Sequence, residues 1–199
     1  MSALGAASLT IPGPKMIWHF GALGMENSIF TCNNGVVDTP SDPAPGDCKL
    51  DTKPQPQWTD NWLADANRAK IYNDWARIIN LKVEEPVFEG NYAISPYIND
   101  IRQRIYIWDD TMPASELKNV VILCNFSVAD LTIVPDFPYT GTWYDLMDET
   151  GATSINVTNT ADPISIPAGQ FRIFGNQQSI LSTEEFQNTT NTISLYPNP

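Results

Sequence analysis

The sequence predicts a mixed architecture in which one buried strand and one long helix precede an all-β antiparallel sandwich. Three observations carry this expectation. A continuous apolar run, "KMIWHF" at residues 15–20, sits between turn residues. An apolar stripe recurs every three or four residues over residues 62–79, the period of an amphipathic helix. After Pro86 come short β-rich runs parted by Gly, Pro, Asn and Asp, the spacing of an antiparallel sandwich.

Each element can be justified in order. Residues 1–9 are small and apolar and suit the last turns of a helix packed on a sheet. Ile11, Pro12, Gly13 and Pro14 stop it. The run at residues 15–20 then has the continuous apolar character of a strand covered on both faces. Such a strand needs neighbours on each side, and the dozen residues before it cannot supply them. Residues 24–57 form a long loop with Asp-Pro and Pro-x-Pro steps, and loops of this length are usually functional or stapled. Cys32 and Cys48 bracket much of it and predict a disulfide, which would restrict the unfolded chain by roughly 3 kcal/mol. A metal site is the rival use of these cysteines, but there is no C-x-x-C and one His, His19, among apolar residues. Cys124, inside "VVILCNF", reads as a buried thiol. The helix should begin after an N-cap at Thr59 or Asp60 and present Trp62, Ala66, Ala69, Tyr72, Trp75, Ile78 and Ile79 on one face.

Beyond Pro86, "QRIYIWD", "NVVILCNFS", "DLTIVPD", "GTWYDLMD", "TSINVTN" and "GQFRIFG" are the predicted strands. The expected boundaries are residues 1–85, then a β-sandwich over 86–176, then a polar linker over 177–199. The first part, lacking partners for its strand, is expected to be held loosely or packed on another chain.

Composition narrows the function classes. The 199 residues are 42% hydrophobic and 11% aromatic, enough for a packed core. A formal charge of -12 argues against nucleic acid, because nothing here would neutralise a run of phosphates. No run of about 18 apolar residues predicts a membrane span. The first fifteen residues lack the early positive charge and apolar stretch of a signal peptide, although the cysteine usage suggests export.

Three stretches, in this order, resemble the C-terminal part of α-amylases of glycoside hydrolase family 13. "LTIPGPKMIWHFGALGM" resembles the approach to the eighth barrel strand and the strand itself. "NRAKIYNDWARIINLKVEEPVFEGNY" resembles the last barrel helix and its exit. "VVILCNFSVADLTIVPDFPYTGTWYDLMDETGATSINVTNTADPISIPAGQFRIF" resembles the β-sandwich known in that family as domain C. The resemblance implies a partial (β/α)8-barrel remnant over 1–85, one strand and one long helix, followed by domain C. The strand departs from the family at Ala22, where an acidic residue is common, and at Met25, where a Tyr is found. The closing "SLYPNP" is similar to the opening of a sorting domain of the type IX secretion system in Bacteroidetes-like bacteria. This implies a protein secreted or held at the cell surface and handed to the secretion machinery.

The implied parent is a retaining hydrolase of α-1,4-glucans such as starch and maltooligosaccharides. Retention takes two carboxylates about 5 to 5.5 Å apart, and the family draws its catalytic acids from barrel strands 4, 5 and 7. Those strands would belong to a missing N-terminal barrel portion, so no catalytic residue is assigned. No cofactor is expected for this chain; a calcium ion would belong to the parent enzyme. Asp109, Asp110, Asp145, Asp148 and Glu149 read as turn acids, and Asp38, Asp42, Asp47 and Asp51 lack a calcium-loop spacing. The candidate sugar contacts are Trp18 and His19 at the strand end and Trp143 and Tyr144 on the sandwich, with Trp108 a further ring. For each the competing use is structural: a hydrogen-bonded His, or aromatics in the core. The alternative function is a starch-binding β-sandwich module without catalysis.

Overall fold

The computed structural model describes residues 1–17, 20–25, 61–95 and 101–179, and the chain opens on helix α1 (Ser2–Leu9). Its residues are small, and Ala3, Ala6 and Leu9 are buried against both the second helix and the sheet below. A helix apolar on most sides must be enclosed, and small side chains let its backbone come close. Gly5 shows how close: a Cβ there would stand 2.1 Å from Nε1 of Trp75. The same indole nitrogen donates to the carbonyl of Met1 at 3.3 Å.

After Pro12, Gly13 and Pro14, the expected strand does not form in the described residues. Lys15, Met16 and Ile17 are unpaired exposed backbone, with Met16 81% exposed. Phe20 has φ of 58°, which an extended strand cannot include, and a 3-10 turn follows at Gly21–Leu23. Among the described residues no strand runs alongside, so these amides have no ladder to join. Trp18, His19, Cys32, Cys48 and the loop at 26–60 lie outside the described residues, as do Thr59, Asp60 and the closing segment from 180 onward.

Helix α2 (Ala66–Glu84) starts later than the expected cap. Asp65 is the N-cap, its Oδ1 accepting from the backbone amides of Asn67 at 2.9 Å and Arg68 at 3.0 Å. Trp62 precedes the helix in a 3-10 turn, Trp62–Ala64. The Arg68 guanidinium lies 4.3 Å above the Trp62 ring and donates to the carbonyls of Leu23 and Gly24. The buried stripe is Trp75, Ile78 and Leu81, narrower than predicted because Ala66 and Tyr72 face out. At the helix exit Lys82 bonds Glu89 at 2.8 Å, fixing the 3-10 turn Pro86–Glu89 that leads into the sheet.

Eight strands follow among the described residues: β1 (Asn91–Ile94), β2 (Arg102–Trp108), β3 (Asn119–Asn125), β4 (Leu131–Ile133), β5 (Gly141–Asp145), β6 (Ser154–Val157), β7 (Ile164–Ile166) and β8 (Phe171–Gly175). Six form an antiparallel sheet in the order β1-β2-β3-β8-β5-β6, and β4 pairs with β7 in a second, small sheet. The pleat separates two cores. Ile105, Ile107, Val120, Ile122, Cys124, Phe171 and Ile173 point to the face carrying α1 and α2. Val121, Leu123 and Phe174 point the other way, to Phe137, Trp143 and the β4–β7 sheet. Strand β3 is buried at all seven positions. Residues before and after Glu85 therefore share one apolar cluster: Ala3, Ala6, Leu9, Ile78 and Leu81 are buried with the sheet, rather than loosely held.

Six of the eight strands match predicted runs. The two unpredicted ones, β1 and β7, are an edge strand exposed at every position and a strand of three residues, too short to establish a period.

The close approach of α1 to α2 sets the sign of one substitution. Gly to Ala inside a helix ordinarily stabilises by roughly 1 kcal/mol. Gly5→Ala should instead lower the urea midpoint of unfolding, because its methyl would force the Trp75 ring from its site. A raised midpoint would show that α1 does not seat on Trp75.

Candidate functional site

The acids that the sequence brings into view are engaged in turns. Asp109 Oδ1 accepts from both the amide and the hydroxyl of Thr111, at 2.8 and 2.7 Å, and these bonds hold its pKa below the usual carboxylate range. Asp145 Oδ1 accepts from the amide of Met147 at 3.0 Å, while burial pushes its pKa up. Asp148 accepts from the amide and hydroxyl of Thr150 and from the amide of Thr153. Those donors hold its carboxyl far below the ordinary value. Among the described residues there is no group of three His, Cys, Asp or Glu placed to hold a metal ion. Cys124 is buried, its thiol pushed up to about 12 by desolvation, which leaves it without reactive thiolate near neutral pH.

Trp143 is not a surface ring. It is 0% exposed, with centroids 4.7 Å from Phe137 and 5.3 Å from Tyr139. Its strand position points it into the core between the two sheets, so no sugar ring can lie on it. Tyr144, the next residue, faces the opposite side of the sheet and is half-buried. Trp18 and His19 cannot be placed, being outside the described residues.

The aromatic cluster at the surface is a different one. Tyr106 and Trp108, two residues apart on β2, share a face and stack with centroids 4.8 Å apart and planes 12° from parallel. Asn119, the cross-strand partner of Trp108, lies beneath them and is buried. Its Oδ1 accepts from the Tyr106 hydroxyl and its Nδ2 donates to the Tyr139 hydroxyl at 3.2 Å. Tyr139 is 43% exposed. Desolvation raises the Tyr106 pKa to about 12 and also moves the Tyr139 phenol upward from its ordinary value, so both phenols stay neutral at ordinary pH. Sequence reasoning singled out Trp108 and missed Tyr106, Asn119 and Tyr139. The two-residue spacing on β2 was a readable signal; the reach of Tyr139 across the fold to Asn119 was not.

A second surface feature is an apolar cleft of about 610 Å³ between the end of α1, the segment at 13–17 and the outer side of α2. Leu9, Pro14, Ile17, Ile79 and Val83 line it, with Lys15, Lys82 and Glu89 also at its walls. Val83 is 72% exposed.

No protein-family model matches the sequence, and no curated protein matches it. Solved structures do. The structure of AmyP in complex with maltose superposes with a TM-score of 0.63 at 12% identity, covering 89% of this chain and 34% of that one. The maltogenic amylase from S. marinus gives 0.51 at 14% identity, over 89% of this chain and 20% of its own. The trehalulose synthase MutB from Pseudomonas mesoacidophila gives 0.55 at 15% identity, over 87% and 37%. The chain has the fold found in these α-amylase-family enzymes, and it spans little more than a third of their length at most.

The hydrogen bonds of Asp148 give a pH-dependent outcome. Its folded pKa lies below the ordinary 3.8, so its contribution is complete above that value and is lost as pH falls further. Asp148→Asn should therefore flatten the loss of thermal stability on acidification below about pH 4, as followed by circular dichroism. An unchanged acid limb would mean that Asp148 does not grip Thr150 and Thr153.

Proposed function

We propose that this chain is the C-terminal part of a secreted α-amylase-type glycoside hydrolase acting on α-1,4-glucans, and that it serves there as a structural closure rather than as the catalytic centre. The observation that carries the reading is the likeness to AmyP, a maltogenic amylase and a trehalulose synthase over 87–89% of this chain but only 20–38% of theirs. Among those neighbours AmyP holds maltose and another is a maltogenic amylase. The resemblance of residues 9–25 to a barrel strand and of 120–174 to domain C agrees with it in chain order.

Physical chemistry supports the same assignment. Met16, Ile17 and Val83 place apolar surface beside the cleft at the end of α1, and unpaired backbone runs through it. In a barrel, residues 15–17 would gain strands on either side and α2 would gain a neighbouring helix. The catalytic nucleophile and acid/base would come from that barrel. Asp109, Asp145 and Asp148 are committed to backbone amides and turn hydroxyls, which leaves these three poor candidates for either role. A disulfide between Cys32 and Cys48, calcium in the parent enzyme, and secretion by a type IX route signalled near "SLYPNP" complete the proposal.

The purified 199-residue chain should release no reducing ends from starch. An open reading frame continued upstream should encode a barrel with Asp and Glu at its strand ends. Hydrolysis by this chain alone, abolished by Asp109→Asn or Asp145→Asn, would overturn the reading.

A further inference from the structure

We infer that Trp108, Tyr106 and Tyr139 form a surface binding site for a glucan chain, on the side of the sheet opposite the helices. The choice of an α-glucan as ligand rests on the amylase-type reading; the site itself rests on the geometry of these residues.

Three features set this cluster apart from ordinary core aromatics. The first is its place. Tyr106 and Trp108 lie on the side of β2 facing away from α1 and α2, and both are only half-buried, while Tyr139 is exposed. The stack leaves one face of Trp108 against Tyr106 and the other unengaged by any ring among the described residues. A pyranose presents a patch of C–H groups that suits the face of an indole.

The second is the fixed polarity of the hydroxyls. The Tyr106 O–H donates to Asn119, which leaves its oxygen lone pairs to accept. The Tyr139 oxygen accepts from Asn119, which leaves its own hydrogen to donate. A sugar hydroxyl both donates and accepts, so a neighbouring pair of one acceptor and one donor meets it with matched partners. One buried amide orients both phenols, and Asn119 is itself held in place: its backbone amide donates to Asn176 Oδ1 at 2.8 Å. Groups held in advance lose little rotamer freedom on binding.

The third is the absence of charge on the recognising groups. The phenols remain neutral and the amide is neutral, so the platform suits an uncharged polyhydroxylated ligand. In a chain with a formal charge of -12, an anionic sugar would be repelled. Apolar rings joined to a few placed polar atoms are the usual make-up of a ligand site.

Affinity electrophoresis of the 199-residue chain tests this. Soluble starch in a native gel should retard it, and a mixed-linkage β-glucan should not. Trp108→Ala should weaken retardation by about tenfold, the loss expected for one stacking contact, and Tyr139→Phe should weaken it by removing the donated hydrogen. Leu63→Ala, an exposed apolar change elsewhere, should leave it intact. A measurement on the unaltered chain guards against variants that fail to fold. Saturating maltoheptaose should slow oxidation of Trp108 by N-bromosuccinimide, read by peptide mass. No retardation by starch, equal retardation by the β-glucan, or oxidation of Trp108 indifferent to maltoheptaose would each overturn the site. Any of these could occur while a longer chain still hydrolysed starch, so failure here is separate from failure of the hydrolase reading.

Discussion

Strand β3 must be covered on both faces, and the rest of the structure is arranged to do it. A strand reading Val, Val, Ile, Leu and Cys in succession has no face that it can show to water. Val120, Ile122 and Cys124 are met by α1 and α2, while Val121 and Leu123 are met by Trp143, Phe137 and the small β4–β7 sheet. Each fully buried aliphatic side chain of this kind is worth roughly 1.5–3 kcal/mol. Two layers on one strand therefore bind helices that come early in the chain to strands that come late. This is why the N-terminal helices belong to the sheet's core rather than forming a body of their own.

Buried amides at both ends of β3 complete that arrangement. At one end Asn125 Nδ2 donates to the carbonyls of Ala129 and Ile166, tying the strand to the small sheet. At the other, Asn176 Oδ1 accepts from the amides of Lys118 and Asn119. These side chains satisfy backbone groups just where strand pairing stops, and a buried carbonyl or amide left unpaired would cost about 1–3 kcal/mol. Asn119 extends the same network to the surface and orients Tyr106 and Tyr139. Structural satisfaction and the proposed sugar platform thus depend on one set of amides.

Similarity of fold at 12–15% identity follows from what the fold requires. The layers need apolar residues at alternate strand positions and at helical spacing, and many sequences meet that demand. Activity depends on a few side chains at defined points, and it is carried by sites rather than by layers. Three of the acids are spent on turns: Asp109 on Thr111, Asp145 on Met147, Asp148 on Thr150 and Thr153. Their pKa values shift with these donors and with burial.

The sequence alone determined the elements whose signal is local. The small-residue helix at the start, the long helix with Trp75 and Ile78 inward, and six of the strands were readable from spacing and composition. So was the buried thiol of Cys124. Tertiary structure decided which apolar run lies in a sheet. Residues 15–20 read as a strand enclosed on two sides and 119–125 as one β-rich run among several, yet among the described residues only the second has neighbours to pair with. It also decided which aromatic rings face solvent: Trp143 went to the core, while Tyr106 and Trp108 stacked at the surface. Periodicity states that a residue wants cover, but hydrogen-bond ladders and packing join residues far apart in the chain. Whether cover is available is therefore settled only when those distant segments meet.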